Sequence, residues 1–292
     1  MKQRKGSLSW GPVKDARLRV LSLGAGIQST TLLLMAAHGE IEKPDVVIFA
    51  DTGAEPGVVY EHLKWLSNSQ VQPFEIITVS AGSILDDLRQ QVAGNPVRNQ
   101  GRAPCAPFYT SGRDGRGAPL RRQCTSHYKI EPIQRKIREI MGFKARQRIP
   151  AFSVEMIIGI SSDEVARAGS SFVPWIVNRY PLLEKRMSRY DCELWLKQND
   201  YPVPTKSACT FCPYRTNSEW RNLRETDVAG FAQAVEVDSI IRPGLKRNDK
   251  GTSTGRLFLH RSLTPLSELD LSTDFERGQY DFLLECEGGC GL

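Results

Sequence analysis

The chain has 292 residues, 40% hydrophobic and 25% charged, enough for one large α/β domain or two smaller ones around a sizeable core. No apolar run approaches the roughly 20 residues that cross a bilayer, and the basic start MKQRKGSLSW has no apolar stretch of the secretory kind, so neither a membrane span nor a secretory signal is expected and the cytoplasm is the expected location. Seven cysteines in such a chain speak against a disulfide framework and for metal or redox use.

Residues 1–17 read as a loose N-terminal arm. LRVLSL (18–23) reads as a buried strand, and Ser29 to Ala37 as a helix. DVVIFAD (45–51) is a second strand, with a helix near Gly57–Asn68 after it; FEIITV (74–79) is a third, followed by the helical SILDDLRQQV. Strands and helices alternating at this spacing predict βαβ units and a parallel sheet. Residues 94–123, rich in Gly, Pro and Arg, read as a long functional loop. A basic helix (KIEPIQRKIREIMG), a buried strand VEMIIGI (154–160) and a mixed cysteine-containing region to about Arg224 complete a domain over 18–225. Residues 226–292 read as an extension: a polar loop at 242–256, then a helix and a tail ending ECEGGCGL.

Net charge is +6 and uneven. From Arg98 to Pro150 there are 13 Lys/Arg against 3 Asp/Glu, a local +10, which leaves −4 for the rest. Such a block suits a polyanion, either nucleotide phosphate and sulfate or a nucleic acid; a solvated loop and helix face is the plainer alternative.

The glycine loop after the first strand carries the chemistry. Gly24 and Gly26 let a ligand approach the backbone, Ser29 and Thr30 can cap the next helix, and the open N–H groups at that helix start favour an anion. A Walker loop needs a Gly-Lys-Ser/Thr that this loop lacks. A dinucleotide fingerprint would place Ser29 at its third small position, with Asp51 ending the second strand. The third option is the PP-loop of the ATP pyrophosphatases, which LSLGAGIQST resembles, most closely in the variant of the phosphoadenylyl-sulfate (PAPS) reductases.

Further pieces resemble that family in the same order. FADTGAEPGVVYEHLKWL is similar to its second strand with Asp-Thr-Gly and the helix after it. RRQCTSHYKIEPIQRKIRE is similar to its Cys and Lys segment, and IIGISSDEVARA to its nucleotide-contacting strand and loop, with Ser161 where relatives have Arg. RYPLLEKRMSRYDCELWLKQNDYPVP resembles a further stretch. The resemblance covers about residues 18–225. It implies a Rossmann-like (HUP-type) parallel sheet sandwiched by helices, with a cysteine-containing C-terminal region. It also implies an adenylyl nucleotide (PAPS, adenylyl sulfate or ATP) held by Ser22, Gly24, Gly26, Gln28, Ser29, Thr30, Asp51, Thr52 and Gly159, with Arg121, Arg122 and Lys129 toward its anionic end.

Cys209-x-x-Cys212 has the spacing at which two thiolates share a metal, and a buried structural pair is the alternative. With Cys124 and Cys192 it would make four ligands, for zinc or an iron–sulfur cluster. The resemblance prefers a four-iron four-sulfur cluster, and the single Cys124 followed by Thr125 makes the layout similar to the DNA phosphorothioation sulfurtransferases of the same family. Cys105 could replace Cys192. At the C-terminus, Cys290-Gly-Leu resembles the core of the reductases' catalytic tail, which makes Cys290 the expected nucleophile and Cys286 its resolving thiol.

Three functions follow as expectations. One is thiol-dependent reduction of an adenylyl sulfate to sulfite, with a thioredoxin-type partner. The second is an ATP- and Mg2+-dependent sulfurtransferase that adenylates DNA or RNA bound by the 98–150 block. The third is a non-catalytic zinc protein that binds nucleotide. A homodimer is one option for the assembly, and the sequence leaves the oligomeric state open.

Overall fold

The computed structural model describes residues 7–95, 106–111, 116–247, 252–253 and 255–272. The chain forms two compact units, Met1–Asp86 with Cys124–Cys209, and Asp87–Gln123 with Thr210–Leu292. In chain order the strands are β1 (Ser7–Ser9), β2 (Leu18–Leu23), β3 (Val46–Asp51), β4 (Ile76–Ser80), β5 (Tyr109–Ser111), β6 (Gly117–Pro119), β7 (Val154–Ile158), β8 (Ile176–Arg179), β9 (Lys246–Arg247) and β10 (Thr252–Ser253). The helices are α1 (Ile27–His38), α2 (Gly57–Leu66), α3 (Ile84–Val92), α4 (Glu131–Ile140), α5 (Pro181–Glu184), α6 (Arg189–Gln198), α7 (Asn217–Thr226) and α8 (Val228–Ile240).

The first unit is built on a six-stranded sheet of order β4-β3-β2-β7-β8-β1. All five strand pairs are parallel. Parallel strands covered on both faces read as continuous apolar runs, which is what VVIFA is, while VEMII is apolar apart from the buried Glu155. Alternate residues divide between two cores. Leu21, Leu23, Val47 and Phe49 pack with α1, while Val20, Ile48, Val154 and Met156 pack with Ile133 and Ile137 of α4. Helix α1 is apolar on every side and is buried from Thr30 to Ala36, sandwiched with Leu196 of α6. Each fully buried Leu of that helix contributes about 1.5–3 kcal/mol. Gly39, in the left-handed region at φ 78°, closes the helix. Together these confirm the α/β Rossmann-like architecture.

The strand order reverses at β2, which has β3 on one side and β7 on the other. Open α/β sheets bind ligands outside the carboxyl ends of the strands at such a point. The glycine loop leaves β2 there, and Gly159 follows β7 beside it.

The N-terminal arm is more structured than its composition implies. Ser7–Ser9 is the edge strand, parallel to β8 in the register Ser7↔Val177. Two carboxylates fix the chain behind it: Gly11 N donates to Glu184 Oε1 at 2.8 Å and Val13 N to Glu155 Oε2 at 3.0 Å. Glu155 is wholly buried and shares the Arg179 guanidinium with Glu42 and Glu184. Strand β8 falls within the region whose sequence reads as mixed.

The basic helix also begins differently. A π-helical turn, Ser126–Ile130, precedes α4 and carries Lys129. In the second unit, β5 and β6 form a hairpin inside the segment expected to be a loop, and Phe108 beside it is buried. Helix α7 is opened by a Thr216–Glu219 capping box and α8 by Asp227. Buried Asp238 accepts from Leu259 N and Leu266 N and so holds the following loop to α8. Among the described residues no helix is long and apolar enough to cross a membrane.

Candidate functional site

The loop between β2 and α1 is ordered by its own atoms. Ser29 Oγ accepts from Gly24 N at 3.1 Å and donates to Gly26 O at 3.2 Å, which folds the loop onto the first turn of the helix. Ala25 takes the left-handed conformation at φ 54° while wholly buried. A non-glycine residue in that conformation costs on the order of 1–3 kcal/mol, a strain of the kind found at ligand sites. The helix has no side-chain cap at Gly26 and no acidic residue in its first turn, so its opening N–H groups remain available to an anion.

The neighbours of the loop come from β7 and from the segment before Cys209. A Cβ on Gly159 would stand 2.8 Å from Ser29 N, and one on Gly26 would stand 3.3 Å from Ser207 Cβ. Gln28 Nε2 reaches Ser161 Oγ and Glu164 Oε2, both at 3.3 Å. Ser161, where the resembled family has Arg, therefore anchors the glutamine of the loop.

At the end of β3, Asp51 is engaged locally: its Oδ1 accepts from Gly53 N and from Tyr60 Oη, both at 2.8 Å. Thr52, 2% exposed, points the other way. Its Oγ1 donates to Glu55 Oε1 at 3.4 Å and lies 3.6 Å from Cys209 Sγ. Lys129 Nζ pairs with the same Glu55 oxygen at 3.2 Å. Burial alone would push the Lys129 ammonium down, but the Glu55 carboxylate and the Cys209 and Cys124 sulfurs hold its pKa above the ordinary lysine value. The Glu55 side chain is fully buried, and its second oxygen, Oε2, has no hydrogen-bond partner among the described residues. Ser207 Oγ and Thr125 Oγ1 are likewise buried without partners among the described residues. Desolvated polar atoms of this kind are costly unless a ligand or water completes them.

Of the expected nucleotide residues, Gly24, Gly26, Gln28, Ser29 and Gly159 come together at the loop, and Thr52 and Lys129 form a neighbouring group. Thr30 is wholly buried, with Oγ1 3.0 Å from His62 Nε2, so it supports α1 from behind. Ser22 lines an apolar cavity of about 120 Å³ with Ile130, Ile133, Met156 and Ile158. Arg121 and Arg122 are exposed in the second unit, the latter 5.8 Å from the Tyr214 ring. Glu55, His62 and Ser207 escaped the sequence reading. An acidic residue inside the otherwise small, apolar GAEP turn was the signal for Glu55.

The residues do not fit the four-thiolate group built on Cys192. That side chain is fully buried in the apolar core of α1 and α6, and burial pushes its thiol up to about 12. Among the described residues no three His, Cys, Asp or Glu side chains gather into a metal-binding group. Cys105, Cys286 and Cys290 lie outside the described residues.

No protein-family model matches the chain, and no curated protein matches it. Among solved structures it is similar to the phosphoadenylyl-sulfate (PAPS) reductase of Candida auris in a phosphate complex. The TM-score is 0.40 and the identity 14%, over 65% of this chain and 80% of that one.

Proposed function

We propose that this chain is a PAPS reductase-like enzyme that holds an adenylyl nucleotide on the loop between β2 and α1 and performs sulfur chemistry on it. The observation that carries this reading is the juxtaposition at the sheet's switch point. An uncapped helix start free of acidic residues adjoins a loop closed by Ser29, and beside it Thr52 Oγ1 touches a thiol, Cys209 Sγ, at 3.6 Å. The open N–H groups of α1 take the phosphate, and Gln28, fixed by Ser161, borders it. The apolar cavity lined by Ile130, Met156 and Ile158 suits the base.

The reaction proposed first is reduction of an adenylyl sulfate. The Cys290 thiolate attacks the sulfate sulfur; an S–S bond forms as the S–O bond to the adenylyl phosphate breaks, and the nucleotide leaves with that electron pair. A reduced thiol of thioredoxin type then attacks the Cys290 sulfur and releases sulfite. Cys286 displaces that thiol from the mixed disulfide, and the resulting Cys286–Cys290 disulfide is reduced by the reductant's dithiol, which supplies the two electrons and leaves as its own disulfide. The loop N–H groups stabilise the charge that develops on the departing phosphate.

A second reading, ATP-dependent transfer of sulfur to DNA or RNA, is favoured by one observation: a thiol, Cys209 Sγ, stands 3.6 Å from Thr52 Oγ1, whose partner Glu55 also holds Lys129. Here ATP would adenylate the substrate and a site thiol would carry the sulfur.

Product analysis separates the two. Protein purified under argon is incubated with PAPS or adenylyl sulfate plus a reduced dithiol, and separately with ATP, Mg2+ and nucleic acid. Sulfite that disappears in Cys290→Ser supports the first. Pyrophosphate that depends on nucleic acid, with no sulfite from either sulfonucleotide, overturns it in favour of the second.

A further inference from the structure

We propose that the Lys129–Glu55 pair reads a ribose hydroxyl of the bound nucleotide, and that it is not the clamp for the sulfate or terminal phosphate. The inference rests on the nucleotide reading above and specifies which part of the nucleotide the pair meets.

Charge is the first argument. A clamp for a dianion needs a cation whose charge is not already answered. Lys129 Nζ lies 3.2 Å from Glu55 Oε1, and that carboxylate is fully buried with no other cation on it among the described residues. The pair is neutral as a unit, and a sulfate brought against it would meet a carboxylate in low dielectric.

Hydrogen-bonding capacity is the second. Glu55 Oε2 is buried and unpartnered among the described residues, and a carboxylate oxygen only accepts. What completes it must donate. Lys129 Nζ carries three protons and has Glu55 as its one acceptor among the described residues, so what completes it must accept. A hydroxyl does both at once: it donates to Oε2 and accepts from Nζ. Phosphate and sulfate dianions have no proton to give, and an aryl amine does not accept.

Position is the third. Lys129 precedes Ile130, a wall of the apolar cavity suited to a base, and Glu55 is joined through Thr52 to the end of β3 beside the glycine loop. A group between base and phosphate is the sugar. A carboxylate on a ribose hydroxyl is also the arrangement by which dinucleotide folds recognise that sugar.

The test is equilibrium binding of ATP, 2′-deoxy-ATP and 3′-deoxy-ATP to the full chain and to Glu55→Gln, with thermal melts to confirm that the variant is folded. The wild-type chain is expected to bind one of the two deoxy analogues at least about tenfold more weakly than ATP, the usual loss when a hydrogen bond to a charged group is removed. Glu55→Gln is expected to bind all three within about twofold of one another. The ligand-side arm needs no mutation, so it stands if the variant fails to fold. Equal affinity of the wild type for all three overturns the inference while leaving nucleotide binding intact. Discrimination that persists in folded Glu55→Gln overturns it too. A wild-type chain that binds none of them overturns this inference and the nucleotide reading together.

Discussion

The backbone nitrogen of Ser29 stands 2.8 Å from where a Cβ on Gly159 would be. The end of β7 and the first turn of α1 are therefore in backbone contact, and the position admits no side chain. Real Cβ atoms do not approach a backbone nitrogen that closely, so Gly159→Ala must displace the helix start. Overpacking of this kind costs about 1–3 kcal/mol. The variant is expected to melt lower than wild type and to lose nucleotide affinity by more than its stability loss implies, as measured by titration at a temperature where it remains folded.

Arg179 joins three carboxylates, and Glu155 among them has no exposure. Arg179→Met leaves that carboxylate buried with Arg19 Nε, 3.2 Å from Oε2, as its remaining cation, so the loss should approach but not exceed the roughly 3–5 kcal/mol of a fully broken buried pair. Glu42, whose side chain is 40% exposed, is screened by water, and Glu42→Gln should cost no more than about 1 kcal/mol. Urea denaturation of the two variants checks the contrast. Equal losses would mean that the network does not depend on burial.

His62 sets an acid limit on stability. Burial lowers its pKa from 6.5 to about 4, because the buried ring resists charging. Between those values the unfolded chain binds more protons than the folded one. The stabilisation is therefore full above pH 6.5 and is lost as pH falls toward about 4. His62→Gln should flatten this part of the stability curve, measured by denaturant midpoints across the range. An unchanged slope would assign the acid lability to other groups.

Cys192 should be silent toward alkylating reagents in the folded protein. Its thiol lies in the apolar core and is pushed up to about 12, so at pH 8 it offers neither thiolate nor access. Peptide mapping after iodoacetamide should find it modified only once the chain unfolds. Cys192→Ser should cost about 1–3 kcal/mol for the buried hydroxyl and leave any metal content of the protein unchanged. Loss of bound iron or zinc in that variant would restore it to the ligand set.

The sheet was legible because its strands are apolar runs of strand length separated by helical ones. The glycine loop was legible because Gly24, Gly26 and Ser29 have few other uses in that order. Ser7–Ser9 was not, since its pairing partner lies some 170 positions away in β8 and three residues carry no pattern. Cys192 misled for a different reason. Spacing counts thiols, but the sequence YDCELWL does not say which face of α6 meets α1, and that face buries the sulfur. Glu55 was overlooked because a lone acid in a turn reads as surface, whereas the fold buries it against Lys129.

Calorimetric titration of the wild-type chain and of Gly159→Ala with adenosine 5′-phosphosulfate tests the central claim most directly. The account predicts one site per wild-type chain and affinity at least about tenfold weaker in the variant, as a misplaced anion-binding turn requires. No binding to the wild type, or equal binding to both, would contradict it.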